Sequence, residues 1–222
     1  MKKSFSAGLV CLSAVMALAL AACGTQTATP SASPSAVAES AVPTDSETPE
    51  ASLFTAGTWL SDAGQYYFFD SDGASGRTAS LEDGTGVSFS YTLNGSEAVF
   101  SMGGEGNETK CTVTRDGDAL TLAWDGGVSE NLSYVSDKGS DEFTFYSNRD
   151  IADMALAYYR AHNSSGDGDN LTSAAETNAD GSVSVQVYTN MGDHNSTAEW
   201  YTIDRNTATG TDSSGNEVDL KS

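Results

Sequence analysis

The sequence predicts a mainly β protein, α+β overall, in which a small antiparallel up-and-down barrel is followed by a module of one helix and an antiparallel sheet. Three observations lead there. After Leu53 apolar and polar residues alternate with a period of two, with aromatic enrichment. Asx-Gly pairs interrupt the alternation at Asp72-Gly73, Asp83-Gly84, Asn94-Gly95, Asp116-Gly117 and Asp125-Gly126, supplying the positive φ that two-residue hairpin turns need. Beyond Ser147 the period becomes helical once and then returns to two.

In chain order, strands are expected near Gly57–Leu60, Gln65–Asp70, Gly76–Leu81, Gly86–Leu93, Ala98–Met102, Glu108–Arg115, Ala119–Trp124, Glu130–Val135 and Phe143–Tyr146. About eight or nine strands with no helix between them close most economically into a small barrel. The alternation puts Val87, Phe89, Tyr91 and Leu93 on one face of their strand, and Leu120, Leu122 and Trp124 on the inward side of another. Ser147 with Asp150 three residues on imitates a capping box. Ile151, Met154, Ala155, Tyr158 and His162 then recur at helical spacing, and the run Asn163–Gly168 ends the helix. Strands return at Leu171–Thr177, Val183–Tyr188, Glu199–Asp204, Thr207–Thr211 and Glu217–Leu220, with a hairpin turn at Asp180-Gly181. A unit of this size has little core of its own and is expected to lean on the barrel.

Gly57-Thr58-Trp59 opens the first strand, and with the meander that follows, residues 53–147 resemble lipocalin-like domains. The resemblance implies that Trp59 closes the barrel floor and that a small apolar ligand could be carried inside. The segment is shorter than a true lipocalin and has no C-terminal helix of its own. Residues 148–222 resemble a recurrent module of secreted proteins from Gram-positive (Firmicutes-type) bacteria, through Met154-Ala155, Tyr158-Tyr159, Gly192-Asp193-His194, Thr197, Trp200-Tyr201, Asp204, Thr207, Gly210 and Asp219-Leu220. More distantly they resemble PepSY-type domains, through Ile203–Gly210. The second likeness implies an association with the restraint of secreted peptidases.

The chain starts with Lys2 and Lys3, an apolar run from about Ala7 to Leu20, and then Leu20-Ala21-Ala22-Cys23-Gly24. Residues 1–22 have the parts of a secretion signal, with an apolar run too short for an ordinary membrane-spanning helix. The cleavage context resembles the lipobox of bacterial lipoproteins, which implies that Cys23 is acylated and becomes the new N-terminus. Several acyl chains make a durable anchor where one is marginal. Residues 23–52 are then a tether of Ala, Ser, Thr and Pro, too poor in large apolar residues to offset the entropy of ordering them. The expected location is the extracytoplasmic face of the cell membrane, held through the lipid on Cys23.

Without the signal the chain carries eight basic residues against thirty-one acidic, a net charge near −23. Such a surface repels nucleic acid and anionic headgroups, so a nucleic-acid partner is not expected. Cys111 is the one thiol left after Cys11 and Cys23, so no internal disulfide can form; its setting in Thr109–Val113 reads as a buried strand residue.

No constellation of residues points to a reaction. Asp70-Ser71-Asp72-Gly73 and Asp167-Gly168-Asp169-Asn170 pair carboxylates near glycine, but the bidentate Glu of a calcium loop falls on Leu81 and Asn178, so both read as turns. His162, His194 and Cys111 are too widely spaced for a zinc trace. Asp193-His194 suggests a nucleophile's base, yet no Gly-x-Ser-x-Gly elbow accompanies it. Gly103-Gly104-Glu105-Gly106 lacks the Lys and the helix of a phosphate cradle. No cofactor and no metal are expected, and the chain is not expected to be an enzyme. The expected function is a binding or interaction module for a protein or cell-wall partner; the alternatives are a lipocalin-like carrier or a hydrolase using His194. Trp59, Tyr66, Phe68, Trp124, His194, Trp200 and Tyr201 form the candidate surface for a ligand or partner.

Overall fold

The computed structural model describes residues 52–104, 106–163 and 170–222. The signal segment, Cys23, the tether, Glu105 and most of the Asp167–Asn170 turn lie outside the described residues.

Eight strands form a closed antiparallel barrel: β1 (Gly57–Ser61), β2 (Gln65–Phe69), β3 (Ser75–Ser80), β4 (Ser88–Asn94), β5 (Glu97–Met102), β6 (Glu108–Asp116), β7 (Ala119–Trp124) and β8 (Ser129–Ser136). Each strand pairs with the next, and β1 pairs with β8 to remove both sheet edges. Alternation works as expected from the pleat. Trp59, Tyr67, Phe69, Phe89, Tyr91, Phe100, Val113, Leu120, Leu122 and Leu132 form one buried core. Phe54, from the segment ahead of β1, joins that core and stacks on Phe69 at 4.6 Å between ring centroids. Its other neighbours, Tyr91 at 4.9 Å and Phe100 at 5.7 Å, meet it edge-on. These are separations at which aromatic pairs attract beyond their burial. The interior around Phe54 is thus filled by ring contacts, at about 1.5–3 kcal/mol for each large apolar group taken fully out of water.

The Gly-x-Trp opening has a local physical reason. Gly57 adopts φ 122, a value closed to L side chains, and a Cβ there would collide with the carbonyl oxygen of Ser136 on the closing strand. Trp59 is fully buried, donates its Nε1–H to the Thr55 carbonyl at 2.9 Å, and has the Arg115 guanidinium 5.4 Å from its ring centroid. Arg115 in turn donates to the Leu53 carbonyl at 3.0 Å and to Thr55 Oγ1 at 2.6 Å, tying the segment that carries Phe54 across this end of the barrel.

Helix α1 (Asn148–His162) starts with the capping box read from the sequence: Ser147 Oγ accepts from the Asp150 amide at 3.1 Å, and Asp150 Oδ2 accepts from the Ser147 amide at 2.9 Å. Its apolar face, including Ile151, Ala155 and Tyr159, packs on Val183, Val185, Val187, Tyr201 and Ile203 of a second sheet. That sheet runs in the order β13-β12-β11-β10-β9, with β9 (Leu171–Thr177), β10 (Val183–Asn190), β11 (Asn195–Asp204), β12 (Thr209–Asp212) and β13 (Glu217–Asp219). Among the described residues no helix is long and apolar enough to cross a membrane.

Several expectations need correction. Phe143–Tyr146 is not a strand, because its rings find apolar partners on the outside of the barrel instead of a free edge to pair with. Val87 precedes β4 and is 44% exposed, so only the later residues of its row face inward. Strands β10 and β11 run on to Asn190 and back from Asn195, their ladder continuing past a bulge at Val187/Tyr188. In the hairpins at Asn94 and Asp116 the Asx residue is the last paired position, and Gly95 and Gly117, both at φ 59, take the first turn position.

Candidate functional site

The seven residues singled out for a partner surface do not come together. Trp59 belongs to the barrel core and Tyr201 to the core beneath the helix, where its ring meets Tyr158 edge-on at 6.0 Å. Tyr66 and Phe68 do point outward from β2, but Leu60, Leu81, Phe143 and Phe145 cover them, leaving 4% and 2% of their surface exposed. These four are corrections to the candidate surface: rings at such positions are removed from water by segments distant in the chain, later ones for Tyr66 and Phe68 and the earlier helix for Tyr201. Trp124 is half-buried at the end of β7 with its ring 5.3 Å from Phe100. Trp200 is 46% exposed, and His194 is exposed at the β10–β11 hairpin.

His194 Nδ1 lies 2.7 Å from Asp193 Oδ1, and both side chains are largely in solvent. Among the described residues no serine or cysteine is hydrogen-bonded to the imidazole. The Asp70–Ser75 loop is closed by its own bonds, with the one proton of Ser75 Oγ shared between Asp70 Oδ2 at 2.6 Å and Asp72 Oδ2 at 2.8 Å. Among the described residues no group of three His, Cys, Asp or Glu side chains converges as a metal site. Cys111 is buried, and burial, with Asp125 adding to it, pushes its thiol up to about 11, which keeps it protonated and unreactive at neutral pH.

A concave feature lies elsewhere, where the barrel meets the second sheet. Two cavities of about 370 and 620 Å³ share the walls Leu60, Leu81, Thr177 and Gly181. Backbone bonds hold their sides together. The Asn148 and Arg149 amides at the start of α1 donate to the carbonyls of Leu81 and Glu82 at 2.8 and 3.0 Å, and the Tyr146 amide donates to the Arg205 carbonyl at 2.9 Å. The Asn148 carboxamide extends the link: Nδ2 donates to Glu82 Oε2 at 3.0 Å, and Oδ1 accepts from Thr177 Oγ1 and from Arg205 Nη2, both at 3.1 Å.

Arg205, directly after β11, lines the smaller cavity and is 4% exposed. Its guanidinium also donates to the Tyr146 carbonyl at 3.3 Å and to Thr177 Oγ1 at 2.7 Å. All these acceptors are neutral, and among the described residues no carboxylate comes within ion-pair distance. Of the five N–H donors of a guanidinium, that leaves Nε–H and one Nη1–H without a protein acceptor. Burial lowers the arginine's pKa from its usual value, while Tyr66 and Asp204 act in the opposite sense. Beside it Tyr66 lines the same cavity, its ring held edge-on by Phe145 at 4.9 Å and Phe143 at 5.2 Å. Burial raises the Tyr66 phenol, partly offset by Arg205.

The sequence singled out Tyr66 as a possible contact residue but missed Arg205, Asn148 and Thr177, which meet only through long-range packing. The one signal available was that Arg205 is among the few basic residues of a very acidic chain. Compared with known proteins, the chain matches no family model, no curated protein and no solved structure.

Proposed function

We propose that this chain is a bacterial lipoprotein, anchored on the extracytoplasmic face of the cell membrane through Cys23, whose folded part is a non-catalytic binding module at the cell envelope. Its anchor is read from Leu20-Ala21-Ala22-Cys23-Gly24 after a basic and apolar leader. The observation that carries the binding role is the cleft between barrel and second sheet, concave, partly apolar and floored by a buried guanidinium with donors to spare. A module of this kind needs no nucleophile or metal, and the tether lifts the cleft away from the membrane toward wall polymer and other envelope proteins. The barrel is lipocalin-like in its meander and its Gly57-x-Trp59 opening, and the sheet with α1 is the secreted or PepSY-like module. The carrier alternative asks for space inside the barrel, where Phe54, Phe69, Tyr91 and Phe100 are in ring contact.

Two measurements test the proposal. Cys23→Ser should release the chain from membranes and abolish labelling by palmitate; a variant that stays membrane-bound defeats the anchor. A photocrosslinker at Ser182, on the cavity wall, should give envelope adducts that one at exposed Val128 does not. The same adducts from both positions would remove the cleft as the binding site.

A further inference from the structure

Resting on the reading of this cleft as the binding site, we infer that its smaller cavity takes the C-terminal carboxylate of a peptide, held by Arg205 and Tyr66. Arg205 is a buried cation whose protein acceptors are all neutral and whose Nε–H has none among the described residues. Tyr66 is equally buried, and its hydroxyl has no hydrogen-bond partner among them. Among the described residues every side-chain nitrogen or oxygen sealed from solvent has a partner, so these two atoms are not sealed. The cavity that both residues line gives them their opening. A phenolic O–H and a guanidinium N–H in the lining of one cavity match the two oxygens of a carboxylate, and bonds to such an anion are about twice as strong as neutral ones.

The surroundings narrow the class. Leu60, Leu81 and Ile203 line the same cavity and suit an apolar side chain next to the carboxylate. Asp180 and Asp204 also line it. Asp204 favours the arginine's charge from a distance but is not paired with it: its Oδ1 accepts from the Asn206 and Thr207 amides at 2.7 and 3.2 Å, and it forms no ion pair with Arg205. Asp180 Oδ1 accepts from Ser182. Two carboxylates at the wall repel a doubly charged phosphate and offer acceptors to peptide N–H groups, which favours a singly charged, amide-bearing ligand.

The test is calorimetric titration of the full-length chain with the tripeptide alanyl-alanyl-leucine, its C-terminal amide and inorganic phosphate. The free acid is expected to bind at least about tenfold more tightly than the amide, the loss following from one charged hydrogen-bond pair, and phosphate is expected not to compete. Tyr66→Phe removes only a hydroxyl that none of the described residues uses, so the fold is kept and affinity for the acid should drop about tenfold. Val128→Ala, exposed on the barrel and outside the cavity lining, should leave it unchanged. Equal affinity for acid and amide, competition by phosphate, an unchanged Tyr66→Phe variant, or no binding at about 10 mM tripeptide would each overturn the inference. Envelope adducts from Ser182 together with a tripeptide that does not bind would sink this inference and leave the binding module standing.

Discussion

Removing the Phe54 ring tests whether the barrel is a packed core or a container. Phe54 is 4% exposed and touches three other rings, stacking on Phe69 at 4.6 Å and meeting Tyr91 and Phe100 edge-on. Phe54→Ala therefore deletes a buried ring and leaves a void whose aromatic walls belong to a closed sheet that cannot easily collapse. Phe→Ala changes in such settings cost about 3–5 kcal/mol, transfer and cavity terms together. Against a total stability on the order of 5–15 kcal/mol this is a large fraction. With a urea m-value of about 2 kcal/mol/M, the unfolding midpoint should fall by roughly 2 M. The assay is urea unfolding followed by tryptophan fluorescence, run beside titration with an apolar fluorescent dye. The wild type should bind no dye in its barrel, whereas the variant, with a dry aromatic void, should gain dye binding. A loss under about 1 kcal/mol, or stoichiometric dye binding by the wild type, would refute the packed interior and return the carrier reading to first place.

Three other outcomes follow from the geometry. Gly57→Ala forces a side chain into φ 122 and against the Ser136 carbonyl; it should cost about 2 kcal/mol or more by chemical denaturation, with Gly64→Ala, where a Cβ meets open space at φ 76, costing less. Ser147→Ala dismantles the capping box and should destabilise by about 1 kcal/mol, while Ser147→Asp, which restores an acceptor for the Asp150 amide, should recover part of it in helical circular dichroism on melting. Asp62, Asp72, Asp83, Asp180 and Asp212 each have a folded pKa below 3.8, chiefly through hydrogen bonds from Asn131, Ala74, Thr85, Ser182 and Asn216. A depressed folded pKa contributes stability above 3.8 that is lost as pH falls through the folded value, so Tm should drop below about pH 4. Relief of the net negative charge acts in the other direction at higher pH, so a modest gain between pH 7 and 5 should precede the drop.

Legibility from sequence followed the range of the interactions involved. The hairpins and the helix cap depend on neighbours a few residues apart: Asn94-Gly95 turns the chain, and Ser147 bonds Asp150. The candidate surface was harder to read. Nothing local distinguishes Tyr66, which Phe143 and Phe145 cover, from Trp200, which stays 46% exposed. A period of two says that a ring leaves the plane of its strand, and it is silent about what arrives on the other side.

By itself the sequence determined eight of the nine strands expected before the helix, the helix with its cap and most of the inward rows of the barrel, because pleat, turn chemistry and capping are short-range. Tertiary structure alone decided that β1 closes on β8, that Phe54 fills the interior, and that Arg205 meets Asn148, 57 residues away, above an open cavity. Those outcomes depend on contacts between distant segments, whose geometry is set by packing and by the need to satisfy buried polar groups once the chain has folded back on itself.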